Sequence, residues 1–556
     1  MAIDSLEDDS SSYRPVKPLP FELAQHVGIF FEEKLYTQAL TLLLNILSSG
    51  TPILNAAYIP SPPHFAVAAT CLVHPRTTTR ANSSEEKDAA ATALRLLRLT
   101  NSLFGPVAAR LDAAFTFTHF ESSRRGVLRR RVSDDAGASG DGGGVSHFGD
   151  ETKPLNLDLG RSASLWSRAE DFWHAVGWAF NCSVSHPERW GVWRLWLEFM
   201  CEVLEDDWNE RLKMAERSKS GSGDDAPLKQ SLIFRYVDRG GSIGFGRNRR
   251  ILRAIFADGA SSAVAEFGQV FSKELESRRA GDSANETTRR NDTAAVNIDA
   301  EQFGDYLSHD EDKETDSDDN NHSDNKPARK RPRRGTKSDP AATSTSKDTL
   351  ASSPHADISR LGGLPSLALR QRLLSLLSCV SNRLPESFLP LDDLYHLFVE
   401  NIRHLPLPIF QAFVAPSALS SFSPTQQITL CDHLLARMLE SSAPRSRDAH
   451  LTQPKLEQCF LPFAASTASP IDNAKVSITL EALLVLLAGG GDNLVTATQR
   501  LRDAVGTGIV ARVEKAGSSE PKKKGLNRDL DAERCWLLES GDRLRFLVDD
   551  VLGGGR

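Results

Sequence analysis

The stretch LWSRAEDFWHAVGWAFNCSVSHPERWGVWRLWLEFMCEVLEDDWNERL, residues 165–212, holds seven of the chain's eight tryptophans: Trp166, Trp173, Trp178, Trp190, Trp193, Trp196 and Trp208. Trp190, Trp193, Leu197, Met200 and Leu204 recur in it at helical spacing, flanked by Trp196, Phe199 and Val203, so one helix has an apolar face wide enough to meet several neighbours. Ser167 with Glu170, and Ser185 with Glu188 around His186-Pro187, have the spacing of capping boxes, which predicts two helices in a hairpin. Each buried Trp removes roughly 150–250 Å² from water, so core packing is the expected role of the cluster, ahead of a methyl-lysine cage or a base-stacking platform. Part of the wide face, Arg189, Trp193 and Arg194, is a candidate partner surface, because Trp and Arg are enriched in binding hot spots.

Toward the amino terminus, FELAQHVGIFFEEKLYTQALTLLLNILSSG (21–50) places Leu40, Leu43, Leu44 and Leu47 on one helical face, with Gly50 as a stop. A second helix follows Ser61-Pro62-Pro63. A third runs from Ser84 to Leu103 and ends at Gly105-Pro106, where Gly closes the helix and Pro cannot continue it. The Ala-Leu texture is that of stacked helical repeats, without a 34-residue period. Beyond the tryptophans, helices are expected at 228–237, 249–256 and 262–275, and in the carboxyl-terminal part at 364–384, 391–405, 423–439, 476–488, 494–505 and 529–552.

No alternating β pattern interrupts this series, which argues against the common α/β catalytic domains. The expected fold is all-α: two irregular HEAT/TPR-like helical modules separated by a long, disordered, charged linker. The boundaries are a disordered start (1–17), amino-terminal helices (18–132), a Gly/Ser/acid-rich loop (133–160), the Trp-rich helices packing on the first set (161–278), the linker (279–355) and a carboxyl-terminal helical domain (356–556).

The chain has 556 residues, with 73 acidic against 66 basic side chains, a net charge of -7 that gives no global reason to bind nucleic acid. Seven dispersed cysteines without a C-x-x-C pair fit a reducing compartment. The first twenty residues lack the apolar centre of a signal peptide, and no apolar run approaches the roughly 20 residues of a membrane helix. A soluble intracellular protein without membrane contact is expected.

The clearest functional signal is KPARKRPRRGTK, in which Lys326, Arg329, Lys330, Arg331, Arg333, Arg334 and Lys337 form a basic run like those read by import receptors, so a nuclear location is expected. Before it, Glu301 to Asp324 carries ten acids against Lys313 alone. Ser308 and Thr315 each precede an acid by three residues, as acidophilic-kinase sites do, Ser317 stands directly before Asp318 and Asp319, and Arg130-Arg131-Val132-Ser133 has a basophilic-kinase spacing, making Ser133 a fourth candidate. GGSIGFGRNRR opens a helix with Arg247, Arg249 and Arg250, a weak phosphate or nucleic-acid contact candidate without the P-loop ending. Lys522 to Lys524 form a lesser basic run.

No H-E-x-x-H, G-x-S-x-G, EF-hand or kinase set occurs, and His174, His186 and His433 stand isolated, so no catalytic, cofactor-binding or metal-ligating residue is assigned and no cofactor is expected. The leading expectation is a non-enzymatic nuclear scaffold or adaptor subunit of a multiprotein assembly in chromatin, DNA repair or chromosome maintenance. Its partners would be nuclear proteins and an import receptor, with at most weak or indirect nucleic-acid contact. Two alternatives stand beside it: a nucleolar ribosome-assembly or RNA-processing factor touching RNA through Arg247 to Arg250 and the basic runs, and an enzyme of unfamiliar helical type.

Overall fold

Apolar spacing, helix caps and proline breaks cut the chain into sixteen principal helices in the computed structural model, which describes residues 13–49, 56–118, 154–217, 225–238, 245–276, 359–416, 422–444, 451–489, 495–518 and 528–553. In the amino-terminal part α1 (Phe21–Glu32) packs on α2 (Tyr36–Ser48), and α4 (Ser84–Ala108) packs on both α2 and α3 (Pro62–Val73). Leu40, Leu43 and Leu47 of α2 are fully buried, as their spacing predicts. Gly50 lies outside the described residues. Gly105 breaks α4 at φ 72°, and a Cβ there would meet the Tyr13 ring at 2.6 Å, so both its backbone and its lack of side chain are needed. One feature the alternation test missed is a short parallel pair, β1 (Val16–Pro18) on β2 (Ala57–Ile59). Three residues per strand are too few for a period to register.

The tryptophan stretch forms the expected hairpin, α5 (Phe172–Ser185) and α6 (Pro187–Arg217). Its caps differ from the reading. Asp171, not Ser167, caps α5, its carboxylate accepting from the His174 amide at 2.7 Å, while the Ser167 hydroxyl donates to carbonyls of the preceding turn. Ser185 belongs to the end of α5, and α6 starts at Pro187, with the His186 carbonyl accepting from the Trp190 amide. Trp178, Trp193 and Trp196 are fully buried and Trp166, Trp173 and Trp208 nearly so, which makes the cluster core. The wide face of α6 meets α3, α4, α5 and a carboxyl-terminal helix.

After α7 (Leu232–Asp238) and α8 (Phe245–Ile255), the helix expected at 262–275 stops early: α9 spans Ser261–Glu266. Phe267, Val270 and Phe271 are buried as predicted, but from an irregular segment that turns Glu274 inward. The carboxyl-terminal helices are α10 (Gly363–Arg383), α11 (Leu391–Ile402), α12 (Leu407–Val414), α13 (Pro424–Met438), α14 (Pro470–Gly489), α15 (Gln499–Gly517) and α16 (Arg528–Phe546). The α12 helix was not anticipated; Pro406 and Pro408 bracket its first turn, where proline is tolerated. α15 begins later than 494 because Thr498 caps it, accepting from the Leu501 amide.

Residues up to Leu275 and from Ser353 onward belong to one folded unit. α10 lies on α6, and Arg372 of α10 forks onto Glu205 of α6 at 2.5 and 2.6 Å. Arg370, fully buried without a carboxylate partner, donates to the carbonyls of Ile255, Ala257 (2.8 Å) and Leu361 and to the Ser366 hydroxyl, 4.1 Å over the Phe180 ring. Burial pulls its guanidinium down to about 9. Gly362, at φ 81°, passes so close to Ser183 of α5 that no Cβ fits. The linker expected at 279–355 lies outside the described residues.

Two outcomes follow. Replacing Arg370 with Leu strands the Ile255 and Ala257 carbonyls, which lowers unfolding free energy in urea by about 3 kcal/mol. Cutting full-length protein at a protease site introduced after Thr343 leaves two fragments that co-elute in size-exclusion chromatography; fragments that separate would contradict the single unit.

Candidate binding cleft

A cleft of about 1170 Å³ opens between the start of α3, the chain around Leu111–Thr118 and the loop 154–168. Its wall is built on Trp166. The indole Nε1 donates to the Ala66 carbonyl at 3.0 Å, the ring stacks on Phe115 at 4.9 Å, and the Trp166 carbonyl accepts from the Thr118 amide. Ser164, on a single turn (Leu165–Arg168), caps it by accepting from the Trp166 amide, while Thr70 of α3 accepts from the Leu165 amide at 3.2 Å. Buried Trp and Thr thus fix backbone that a surface loop would otherwise leave free.

The floor is apolar, with Pro62, Pro63 and Ala66 of α3, Leu155 and Val270. Around it stand hydroxyls of Thr116, Thr118, Ser162 and Ser167 and two exposed guanidiniums, Arg161 and Arg168. Arg168 Nε donates to the Ser162 carbonyl at 2.6 Å, holding its two Nη groups outward. Neither arginine makes an ion pair among the described residues. The sequence offered no sign of the cleft, because its lining comes from four separated segments; the nearest signal was Pro62-Pro63, read only as a helix start.

Beside the cleft, His74 ends α3 and its Nδ1 accepts from the Arg76 amide, while His64 Nδ1 shares a 2.8 Å hydrogen bond with Ser61. Burial pulls both imidazoles down to about 4, aided at His74 by Arg76, Arg189 and Arg168. The isolated His174 is structural: its Nδ1 accepts from the Glu170 amide, so the ring proton sits on Nε2 and is donated to Gly268 O at 3.1 Å.

The pair expected on a partner surface is interior. Arg189 donates to Glu274 at 2.5 Å, to Val73 O and to Thr78, and Trp193 donates its indole N–H to the same carboxylate at 2.6 Å. A long apolar stem and a satisfiable fork let Arg join a Trp-lined core, where sequence alone cannot tell core from hot spot. Arg194 is half-exposed and pairs with Glu198 one turn on. Arg249 pairs with Glu400 at 3.3 Å, and Arg250 with Asp171 and with Glu170 at 3.1 Å; Arg247 is partly buried and desolvation lowers its pKa. Gly246 lies in the first turn of the same helix with open space beside it, while Gly240, Gly241 and Gly244, the basic run 326–337, Lys522 to Lys524, Ser133, Ser308, Thr315 and Ser317 lie outside the described residues.

Among the described residues, no group of three or more His, Cys, Asp or Glu is placed to hold a metal ion, and no helix is long and apolar enough to cross a membrane. The fold defines the class of the protein as all-α. No family model, curated protein or solved structure matches the chain.

The buried imidazoles set a pH dependence. Their folded-state pKa values lie below the unfolded value near 6.5, so the unfolded chain binds more protons between about pH 6.5 and 4 and stability falls on acidification through that window. At full development each contributes up to about 3 kcal/mol. In urea titrations the double variant His64→Gln, His74→Asn therefore loses less stability than wild type between pH 7 and 4.5. A difference between the two proteins that stays constant with pH would refute the assignment.

Proposed function

We propose that this protein is a non-enzymatic nuclear scaffold or adaptor, a stack of helices of irregular HEAT or TPR kind that holds other proteins together in chromatin, DNA-repair or chromosome-maintenance work. The observation that carries the reading is the run KPARKRPRRGTK, seven positive charges and no negative one between Lys326 and Lys337. An acidic import-receptor groove recognises such a run by charge and extended reach. The run sits in a stretch between Leu275 and Ser359, both of which belong to one folded unit, so the signal is inserted into that body rather than appended to an end.

A stack of helices exposes long ridges suited to protein partners. The acidic block before the basic run, with Ser308, Thr315 and Ser317, attracts the basic run, and phosphate there adds about -1.5 to -2 charge per site and strengthens that attraction. Of the arginines that would carry an RNA-binding reading, Arg249 and Arg250 already face carboxylates, which favours protein partners over RNA.

Tagged wild-type protein concentrates in the nucleus and purifies with stoichiometric nuclear proteins, whereas changing Lys330, Arg331, Arg333 and Arg334 to Ala moves it to the cytoplasm and removes those partners. Imaging and mass spectrometry of the purified assemblies read both effects. A variant that stays nuclear, from a protein that brings down no stable partner, removes the import assignment and the scaffold reading together.

A further inference from the structure

We propose that the cleft walled by Trp166 is a docking site for an extended acidic peptide of a partner protein. The inference goes beyond the nuclear reading and does not depend on it. Charge carries the argument first. Arg161 and Arg168 both line the cleft and neither makes an ion pair among the described residues, unlike Arg98, Arg249, Arg253, Arg372 and Arg383, which each face a carboxylate of this chain. Exposed arginines off the cleft, such as Arg437, also lack one, so what marks the site is two unpaired guanidiniums placed on one cleft. Arg168 is also oriented in advance, because its Nε is spent on Ser162 O and its two Nη groups remain for a carboxylate fork.

The lining then selects a peptide. Pro62, Pro63, Ala66 and Leu155 give an apolar floor for side chains; Thr118 and Ser162 hydroxyls stand beside it, while those of Thr116 and Ser167 already donate within the chain and can only accept from a peptide N–H. At about 1170 Å³ the cleft exceeds the roughly 300–1,000 Å³ of a small-molecule pocket. A nucleic acid fits less well. Strand binding without sequence preference uses exposed rings on which bases stack, and here Trp166 is only 4% exposed, its face covered by Phe115. Two cations also neutralise few phosphates. The wall is rigid, held by the Trp166, Ser164 and Thr70 hydrogen bonds, so little ordering entropy opposes binding.

The test uses purified full-length protein and fluorescence anisotropy at low salt. The probe is a labelled peptide of three Val-Glu-Pro-Asp repeats, with the amide peptide of three Val-Gln-Pro-Asn repeats as its control. The acidic probe binds about tenfold more tightly than the amide control, and Arg161→Gln with Arg168→Gln removes that preference, while Arg437→Gln, an exposed arginine far along the chain, leaves it intact. Circular dichroism and urea midpoints equal to wild type establish that the double variant is folded. Residues 119–153 leave and re-enter the structure beside the cleft wall at Thr118 and Pro154 and carry acids of their own. A second protein, with Asp134, Asp135, Asp141 and Asp150 changed to Asn and Glu151 to Gln, is therefore titrated in parallel. Equal affinity for the two peptides, indifference to the double variant, or no binding by either protein overturns the proposal. So does tighter binding of a labelled ten-nucleotide uridine RNA that depends on the same two arginines.

Discussion

A guanidinium that makes no ion pair with a carboxylate, Arg370, sits where the two halves of this chain meet, with Asp258 acting on it only at a distance. Taking such a charge out of water costs several kcal/mol unless its donors find acceptors, and Arg370 finds them in the carbonyls that the end of α8 leaves unpaired. The exchange is mutual: the last turn of α8 lacks donors, and α10 has a cation that forms no direct ion pair. The negative end of a helix dipole and the face of Phe180 add to the same attraction. Ser366 and Leu361 take up the remaining donors, and the close pass of Gly362 over Ser183 sets the approach. Neither half is complete at this joint without the other.

The interior ion pair between Arg189 and Glu274 does for the amino-terminal part what the unpaired Arg370 does for the joint. Glu274 receives Arg189 and Trp193 through one oxygen and the Phe271 amide, at 3.2 Å, through the other. A buried carboxylate is tolerable because three donors converge on it, and the irregular segment after α9 is irregular because it must deliver that carboxylate. Arg189 also holds Val73 O at the end of α3, at 2.7 Å, and Val270, four residues before Glu274, lines the cleft. The wall of the cleft is thus fixed from inside by polar contacts that leave its own arginines uncommitted.

Most of the helices were legible because apolar side chains at 3.6-residue spacing cannot be buried any other way, and the tryptophans of α5 and α6 announced the core outright. What escaped was decided by tertiary contact. Asp171 and Ser167 are equally good caps in sequence, and the choice fell to Asp171 because the Ser167 hydroxyl serves the turn before it. The helix expected to reach Leu275 was cut at Glu266 by the demand of Arg189, a residue some eighty positions away, which no local pattern carries. The cleft was illegible for the same reason: Pro62, Thr116, Arg161 and Val270 are ordinary residues until the fold brings them to one place. Arg189 and Trp193 show the reverse error, in that a composition typical of hot spots is also that of a core with one satisfied charge.

Directional contacts at the joint bear on how so long an insertion is accommodated. No short loop joins Leu275 to Ser359, so local connectivity does not constrain how α10 docks on α6. Apolar faces alone, such as the leucines of α10 on the wide face of α6, pack in several registers of similar energy. A buried guanidinium that is satisfied only over Ile255 and Ala257, and a fork that closes only on Glu205, leave one register. Polar contacts at the joint thus supply the uniqueness that the chain's connectivity does not.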